Sequence, residues 1–121
     1  MKPVILVVDD EESVRESFRL ALQDYYELAF AEDAKATIHI LKNQTFDLCL
    51  LDIMLPDGSG IDLLRQIKRR DESIEVIMVT ALTGVDTALD AMKLGAYDYI
   101  TKPYKLDELY ELIKRVLAKK S

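Results

Sequence analysis

Cysteine, histidine and long apolar runs are scarce in this chain of 121 residues. Its single cysteine, Cys49, lies inside the apolar run Phe46 to Leu51, which excludes a disulfide framework and makes a buried core thiol the expected role. Its single histidine, His39, falls beside the apolar stripe of a predicted helix and reads as a boundary or surface residue, since a phosphotransfer histidine projects from a helix bundle. No apolar stretch approaches the roughly 20 residues of a membrane span. Lys2 precedes a short apolar run that ends in carboxylates, which does not read as a leader. Positive charge is short as well. Against 22 Asp and Glu stand 16 Lys and Arg, for a net charge of -6, so direct contact with nucleic acid is not expected. Internal repeats, low-complexity tracts and linkers are missing too. What remains is one cytoplasmic globular domain over residues 1–121, with 50% hydrophobic residues to build a single core.

What is present is a set of short apolar runs, each ending in polar residues. Val4 to Val8 runs into Asp9-Asp10, Phe46 to Leu51 into Asp52, Ile74 to Val79 into Thr80-Ala81, and Tyr97 to Ile100 into Thr101-Lys102-Pro103. Runs this short and this apolar read as strands buried on both faces, with Asp52 as the last strand residue before the loop Pro56-Asp57-Gly58. Tyr26 to Ala31 is less apolar and is predicted as an edge strand. Helical spacing appears between the strands. Val14, Phe18, Ala21, Leu22 and Tyr25 form one stripe within Glu11 to Tyr25, and Ala34, Ile38 and Leu41 form another after an Asp33 cap. Leu64 and Ile67 point inward from a helix near Ile61 to Arg70, and a helix from Val85 to Leu94 stops at Gly95. Leu106, Leu109, Leu112, Ile113, Val116 and Leu117 form the last stripe.

Five strands alternating with five helices predict an α/β fold, a doubly wound parallel sheet of the flavodoxin-like order 2-1-3-4-5. In that order the first and third strands are neighbours, about 4.8 Å apart, and Asp9, Asp10 and Asp52 are expected to converge at their carboxyl ends. Carboxylates that close repel one another. Either some take up protons or a cation joins them, and an all-oxygen site with no clustered Cys or His suits a hard divalent ion, Mg²⁺ above all. A carboxylate beside Mg²⁺, with the Lys102 ammonium and the Thr80 hydroxyl near it, is what an aspartyl-phosphate site needs: Asp52 attacks phosphorus while the cations neutralise the phosphoryl oxygens. Taken singly, Asp52 could be a helix cap, Thr80 a loop cap, Tyr99 a strand filler and Lys102 a solvated loop lysine.

Together these residues resemble the receiver domain of bacterial two-component response regulators, the CheY-like family, over the whole chain. The resemblance is carried by Asp9-Asp10, Asp52, Thr80-Ala81, Tyr99 and Lys102-Pro103 at the family's spacing. It implies that Asp52 accepts phosphate from a sensor histidine kinase. It also implies that Asp10, Asp52 and the Met54 carbonyl ligate Mg²⁺, with Asp9 acting directly or through metal-bound water. Lys102 would pair with the phosphoryl group, and the Lys102-Pro103 bond would be cis. Thr80 and Tyr99 would form the switch, and the helix Val85 to Leu94 with the fifth strand the responding face, open to a homodimer. Such a domain catalyses only its own phosphorylation and dephosphorylation. Within the family, Ala91 to Tyr104 is similar to receivers of the nitrogen-regulation type, which precede an ATPase that activates sigma-54 polymerase together with a DNA-binding domain. That group commonly has Tyr after Thr-Ala and Phe after the Pro, where this chain has Leu82 and Tyr104.

Three other readings compete. A flavodoxin-type cofactor domain needs a glycine- and hydroxyl-rich phosphate cradle after the first strand, and Asp9-Asp10-Glu11-Glu12 repels phosphate. An aspartyl-nucleophile phosphatase places its nucleophile and acid two residues apart, where this chain has Asp9 and Glu11. An unphosphorylated interaction module would have no use for the intact acidic pair and Lys102.

Overall fold

The computed structural model describes residues 2–82 and 84–120. Its apolar runs become β1 (Val4–Val8), β2 (Glu27–Ala31), β3 (Leu48–Leu51), β6 (Glu75–Thr80) and β7 (Asp98–Thr101). All pair in parallel, in the order β2-β1-β3-β6-β7. With β4 (Met54–Leu55) and β5 (Gly58–Ser59) set aside as a separate hairpin, this is the expected order 2-1-3-4-5. The helices are α1 (Glu12–Leu22), α2 (Ala34–Asn43), α3 (Gly60–Arg70), α4 (Val85–Lys93) and α5 (Leu106–Lys120).

Alternation along each strand splits the core in two. Ile5, Val7, Leu48, Leu50, Ile77 and Val79 pack with Phe18 and Leu22 of α1 and Leu109, Ile113 and Val116 of α5. Leu6, Val8, Cys49, Leu51, Val76 and Met78 face the other way, onto Leu63, Leu64 and Ile67 of α3 and Ala91 of α4, with the partly buried apolar residues of α2 alongside. Helices on both faces explain why β1 and β3 are apolar at every position and β6 from Val76 to Val79. β2, at the edge, is only half-buried.

The boundaries move in ways that matter. Asp52 is not the last residue of β3, which ends at Leu51, but its N–H still donates to the Val8 carbonyl at 3.1 Å, so the sheet's hydrogen bonding runs on past the strand. Tyr25, expected on the inward stripe of α1, is exposed, because the helix ends at Leu22 and the chain turns there. Its ring sits edge-on to Tyr26 and Tyr110 instead. Leu106, at the first position of α5, is exposed as well. Gly95 takes φ +102 after α4, the left-handed conformation expected of it.

The segment after Asp52, expected as a loop, folds into the β4–β5 hairpin with Met54 opposite Ser59 and Leu55 opposite Gly58. Its base is closed by the Gly60 N–H, which donates to the Ile53 carbonyl at 2.7 Å. A Cβ at position 60 would lie 2.7 Å from the Ile53 Cα and closer still to the Asp52 carbonyl oxygen. Both neighbours are backbone and cannot turn aside. Gly60→Ala is therefore expected to lose about 2–3 kcal/mol of stability, measured by urea unfolding followed by circular dichroism; a loss below about 0.5 kcal/mol would show that the hairpin base shifts freely.

Candidate functional site

Every polar ending of the central strands lies at the same edge of the sheet. There the Lys102 ammonium donates to Asp9 Oδ2 at 2.6 Å and to Asp52 Oδ2 at 3.0 Å, joining the ends of β1, β3 and β7. Asp9 and Asp52 are only 2% and 6% exposed, so the two carboxylates depend on that ammonium for their charge balance. Backbone bonds hold each residue in place. The Asp9 N–H donates to the Ala31 carbonyl at 3.1 Å, and the Lys102 N–H to the Thr80 carbonyl at 2.8 Å. The remaining lone pairs are also used: Asp9 Oδ1 accepts from the Glu11 N–H at 3.0 Å, and Asp52 Oδ1 from the Met54 N–H at 3.1 Å.

The two carboxyl groups are tuned apart. Burial raises the Asp9 pKa, and the bonds from Lys102 and the Glu11 N–H do not fully offset it. Burial also pushes Asp52 upward, but the Thr80 hydroxyl, the Met54 N–H and Lys102 outweigh it and hold that carboxyl below its ordinary value. Lys102 loses some basicity to burial and regains more from Asp9 and Asp52, so its pKa is raised and it stays charged. The Asp52 carboxylate is thus in contact with both a cation and a hydroxyl.

Asp10 does not join the cluster. It is exposed, and among the described residues no group of three acidic, histidine or cysteine side chains stands close enough to hold a metal ion. The expected convergence of three carboxylates is therefore corrected to two joined by an ammonium, because Asp10 stands at the surface where water hydrates its charge. The donor set still suits a hard cation. Asp9 and Asp52 are all-oxygen donors on which a positive charge already rests, and no competing thiolate or imidazole is present, since Cys49 is buried in the core and His39 is exposed on α2.

Thr80 is fully buried at the end of β6, and its Oγ1 accepts from the Leu82 N–H at 3.4 Å. Tyr99, on β7, donates its hydroxyl to the Leu82 carbonyl at 2.7 Å, so the two residues meet through Leu82 and not directly. The Lys102-Pro103 peptide is cis. Two residues that periodicity passed over also support the site. Arg15 Nη1 donates to the Asp9 carbonyl at 2.8 Å, and Asp57 accepts from the N–H groups of Ala34 and Lys35 at 2.9 and 3.0 Å. An arginine beside the α1 stripe and an acid between Pro56 and Gly58 were the available signals.

Comparison with known proteins agrees with this geometry. Residues 5–114 match the family model for the response regulator receiver domain. The chain is 42% identical over 113 residues to the response regulator protein PilR of Pseudomonas aeruginosa, covering 93% of this chain and 25% of that protein. It is 43% identical over 106 residues to the alginate biosynthesis transcriptional regulatory protein AlgB of the same organism, covering 87% and 24%. It thus spans about a quarter of the length of these curated relatives. Among solved structures, a CheY-like response regulator receiver domain protein from Methanospirillum hungatei superposes with a TM-score of 0.95 at 31% identity, covering 99% of this chain and 97% of that one. With the sheet order and the family match in agreement, this chain belongs to the response regulator receiver domains of two-component signalling, a family whose members here include transcriptional regulators.

Proposed function

We propose that Asp52 is the phospho-acceptor of this receiver and that a sensor histidine kinase is the donor. The observation that carries this reading is the Lys102 ammonium shared between buried Asp9 and Asp52. An Asp52 oxygen attacks the phosphorus of a phosphohistidine; the new P–O bond forms as the P–N bond breaks, and the imidazole leaves with the electron pair and takes a proton from water. Lys102 follows the charge onto the phosphoryl oxygens, and the Thr80 hydroxyl donates to the same group. Asp10, Asp52 and the Met54 carbonyl would hold Mg²⁺, with Asp9 bound directly or through water, and Asp10 would turn in from solvent to do so. When bound, that ion neutralises charge on the transferring group. The domain catalyses only its own phosphorylation and dephosphorylation, in the cytoplasm, and the described residues include no helix long and apolar enough to cross a membrane.

Drawing Thr80 toward a phosphoryl group removes its oxygen from the Leu82 N–H, and the Leu82 carbonyl is where the Tyr99 hydroxyl is held. Release of that bond frees the ring to turn. The adjoining surface is suited to a second copy or a partner, because α4 exposes Val85, Leu89 and Met92 along one face, 77%, 51% and 43% exposed. A groove of about 440 Å³ between Tyr99 on β7 and Lys105, Glu108 and Arg115 near α5 continues it. Control of an attached sigma-54-type ATPase with a DNA-binding domain is the output we propose, in keeping with the transcriptional regulator AlgB among its relatives.

Acetyl phosphate with Mg²⁺ is expected to add one phosphoryl group, detected by intact-protein mass spectrometry, and Asp52→Asn to abolish the labelling; an acyl phosphate formed undiminished on that variant would sink the assignment. Thr80→Ala should still accept phosphate yet lose most phosphorylation-dependent dimerisation in sedimentation, and wild-type dimerisation of it would exclude the Thr80–Tyr99 route. Met54 and Leu82 are half-exposed apolar residues two positions beyond Asp52 and Thr80, and neither can orient a hydrolytic water. The acyl phosphate is therefore expected to outlast those with polar residues there by roughly tenfold, about 1.4 kcal/mol of barrier. Timed decay of Met54→Asn and Leu82→Glu in excess Mg²⁺ checks this, and unchanged lifetimes in both would rule it out.

A further inference from the structure

Asp57 makes no bond to the Lys102, Asp9 and Asp52 cluster, and no step of the chemistry above uses it. Its carboxylate spans the first two N–H groups of α2, accepting from Ala34 at 2.9 Å and Lys35 at 3.0 Å across more than twenty residues of chain. These bonds hold the Asp57 pKa below its ordinary value. They do not make α2 a helix. Asp33 already caps it, accepting from the Ala36 N–H at 2.7 Å, and the Asp33 carbonyl accepts from the Thr37 N–H. Asp57 instead fills the two positions that Asp33 leaves open, and it does so from the turn of the β4–β5 hairpin.

That hairpin is the segment whose backbone meets Asp52. Met54 pairs with Ser59, the Met54 N–H donates to Asp52 Oδ1 at 3.1 Å, and Gly60 closes the base against the Asp52 and Ile53 backbone. A two-residue ladder on its own is marginal in water. At the other end of the clamp, α2 follows β2, whose last residue, Ala31, accepts from the Asp9 N–H at 3.1 Å. Asp57 therefore ties the hairpin that follows Asp52 to the first turn of α2, the helix that follows β2, whose last residue is bonded to Asp9.

We propose that Asp57 is a positioning residue that clamps the hairpin turn onto the N-terminus of α2, so that the Met54 backbone stands ready for the divalent cation and cation binding is felt at the first turn of α2. This rests on the Mg²⁺-dependent phospho-acceptor reading. A hairpin held before the cation arrives does not have to be ordered by it, so loss of the clamp weakens cation binding more than it slows the chemistry at saturating cation. Linkage requires the reverse effect as well: bound Mg²⁺ must steady the bonds at Ala34 and Lys35.

The test is titration of wild type, Asp57→Ala and Asp57→Asn with Mg²⁺ alone, followed by amide NMR, with hydrogen exchange at Ala34 and Lys35 recorded with and without the ion. Asp33 remains as a cap, so both variants are expected to fold. Asp57→Ala should weaken Mg²⁺ binding by about fivefold, at the low end of coupling between linked sites, while the phosphorylation rate from acetyl phosphate at saturating Mg²⁺ changes by less than about twofold. Asp57→Asn keeps one acceptor oxygen and should fall between. In wild type, Mg²⁺ should slow exchange at both amides, and in Asp57→Ala it should not. A variant that melts earlier but binds Mg²⁺ as wild type does would make Asp57 a helix cap only and overturn the proposal. Wild-type protein that neither binds Mg²⁺ nor takes up phosphate would overturn the phospho-acceptor reading and the clamp with it.

Discussion

One ammonium group holds this site together. Asp9 and Asp52 are buried at the ends of adjacent strands, where two like charges without a partner would cost several kcal/mol each, and the Lys102 Nζ lies between them at 2.6 and 3.0 Å. Its charge and the other bonds to Asp52 hold that carboxyl below its ordinary pKa in a nearly dry setting. Only a small part of Lys102 reaches solvent.

The precision of this cluster comes from the sheet. The N–H groups of Asp9, Asp52 and Lys102 all donate to the carbonyls of neighbouring strands or their ends, so each functional residue is the first step of a loop yet is still held as part of the ladder. Two half-cores, one per face, then fix the strands in register, with apolar residues of five helices pressing from both sides. Contrast the Thr80–Leu82–Tyr99 region. There Thr80 is held within β6 and by Asp52 and Lys102, while Leu82 beyond it is held by one long hydrogen bond to the Thr80 Oγ1 and one exposed bond from the Tyr99 hydroxyl to its carbonyl.

Much of the fold was legible in the chain. The continuous apolar runs at Val4 to Val8 and Phe46 to Leu51 mark strands covered on both faces, and the three- and four-residue spacing around Phe18, Ile67 and Ile113 marks the helices. The errors have local causes. Tyr25 fits the α1 stripe by spacing, but a helix end is a matter of capping and chain direction that periodicity does not encode, and the helix had already stopped at Leu22. The hairpin after Asp52 escaped notice because Pro56, Asp57 and Gly58 read equally well as a loop and as a turn. Arg15 and Asp57 escaped for a similar reason, since each acts on backbone groups whose position is not visible from residue type.

By itself, then, the sequence determined an alternating strand and helix order, and hence a parallel sheet whose polar strand ends share one edge, because burial on two faces and right-handed crossovers leave few other arrangements. It also determined which residue types stand at that edge. Only the tertiary structure decided how they divide the work: that Asp9 and Asp52 share Lys102 while Asp10 faces solvent, and that Asp57 reaches the first turn of α2. Those outcomes turn on side-chain direction at the end of a strand and on which loop lies opposite which helix terminus. Both are set by distances across the fold, and no period along the chain carries them.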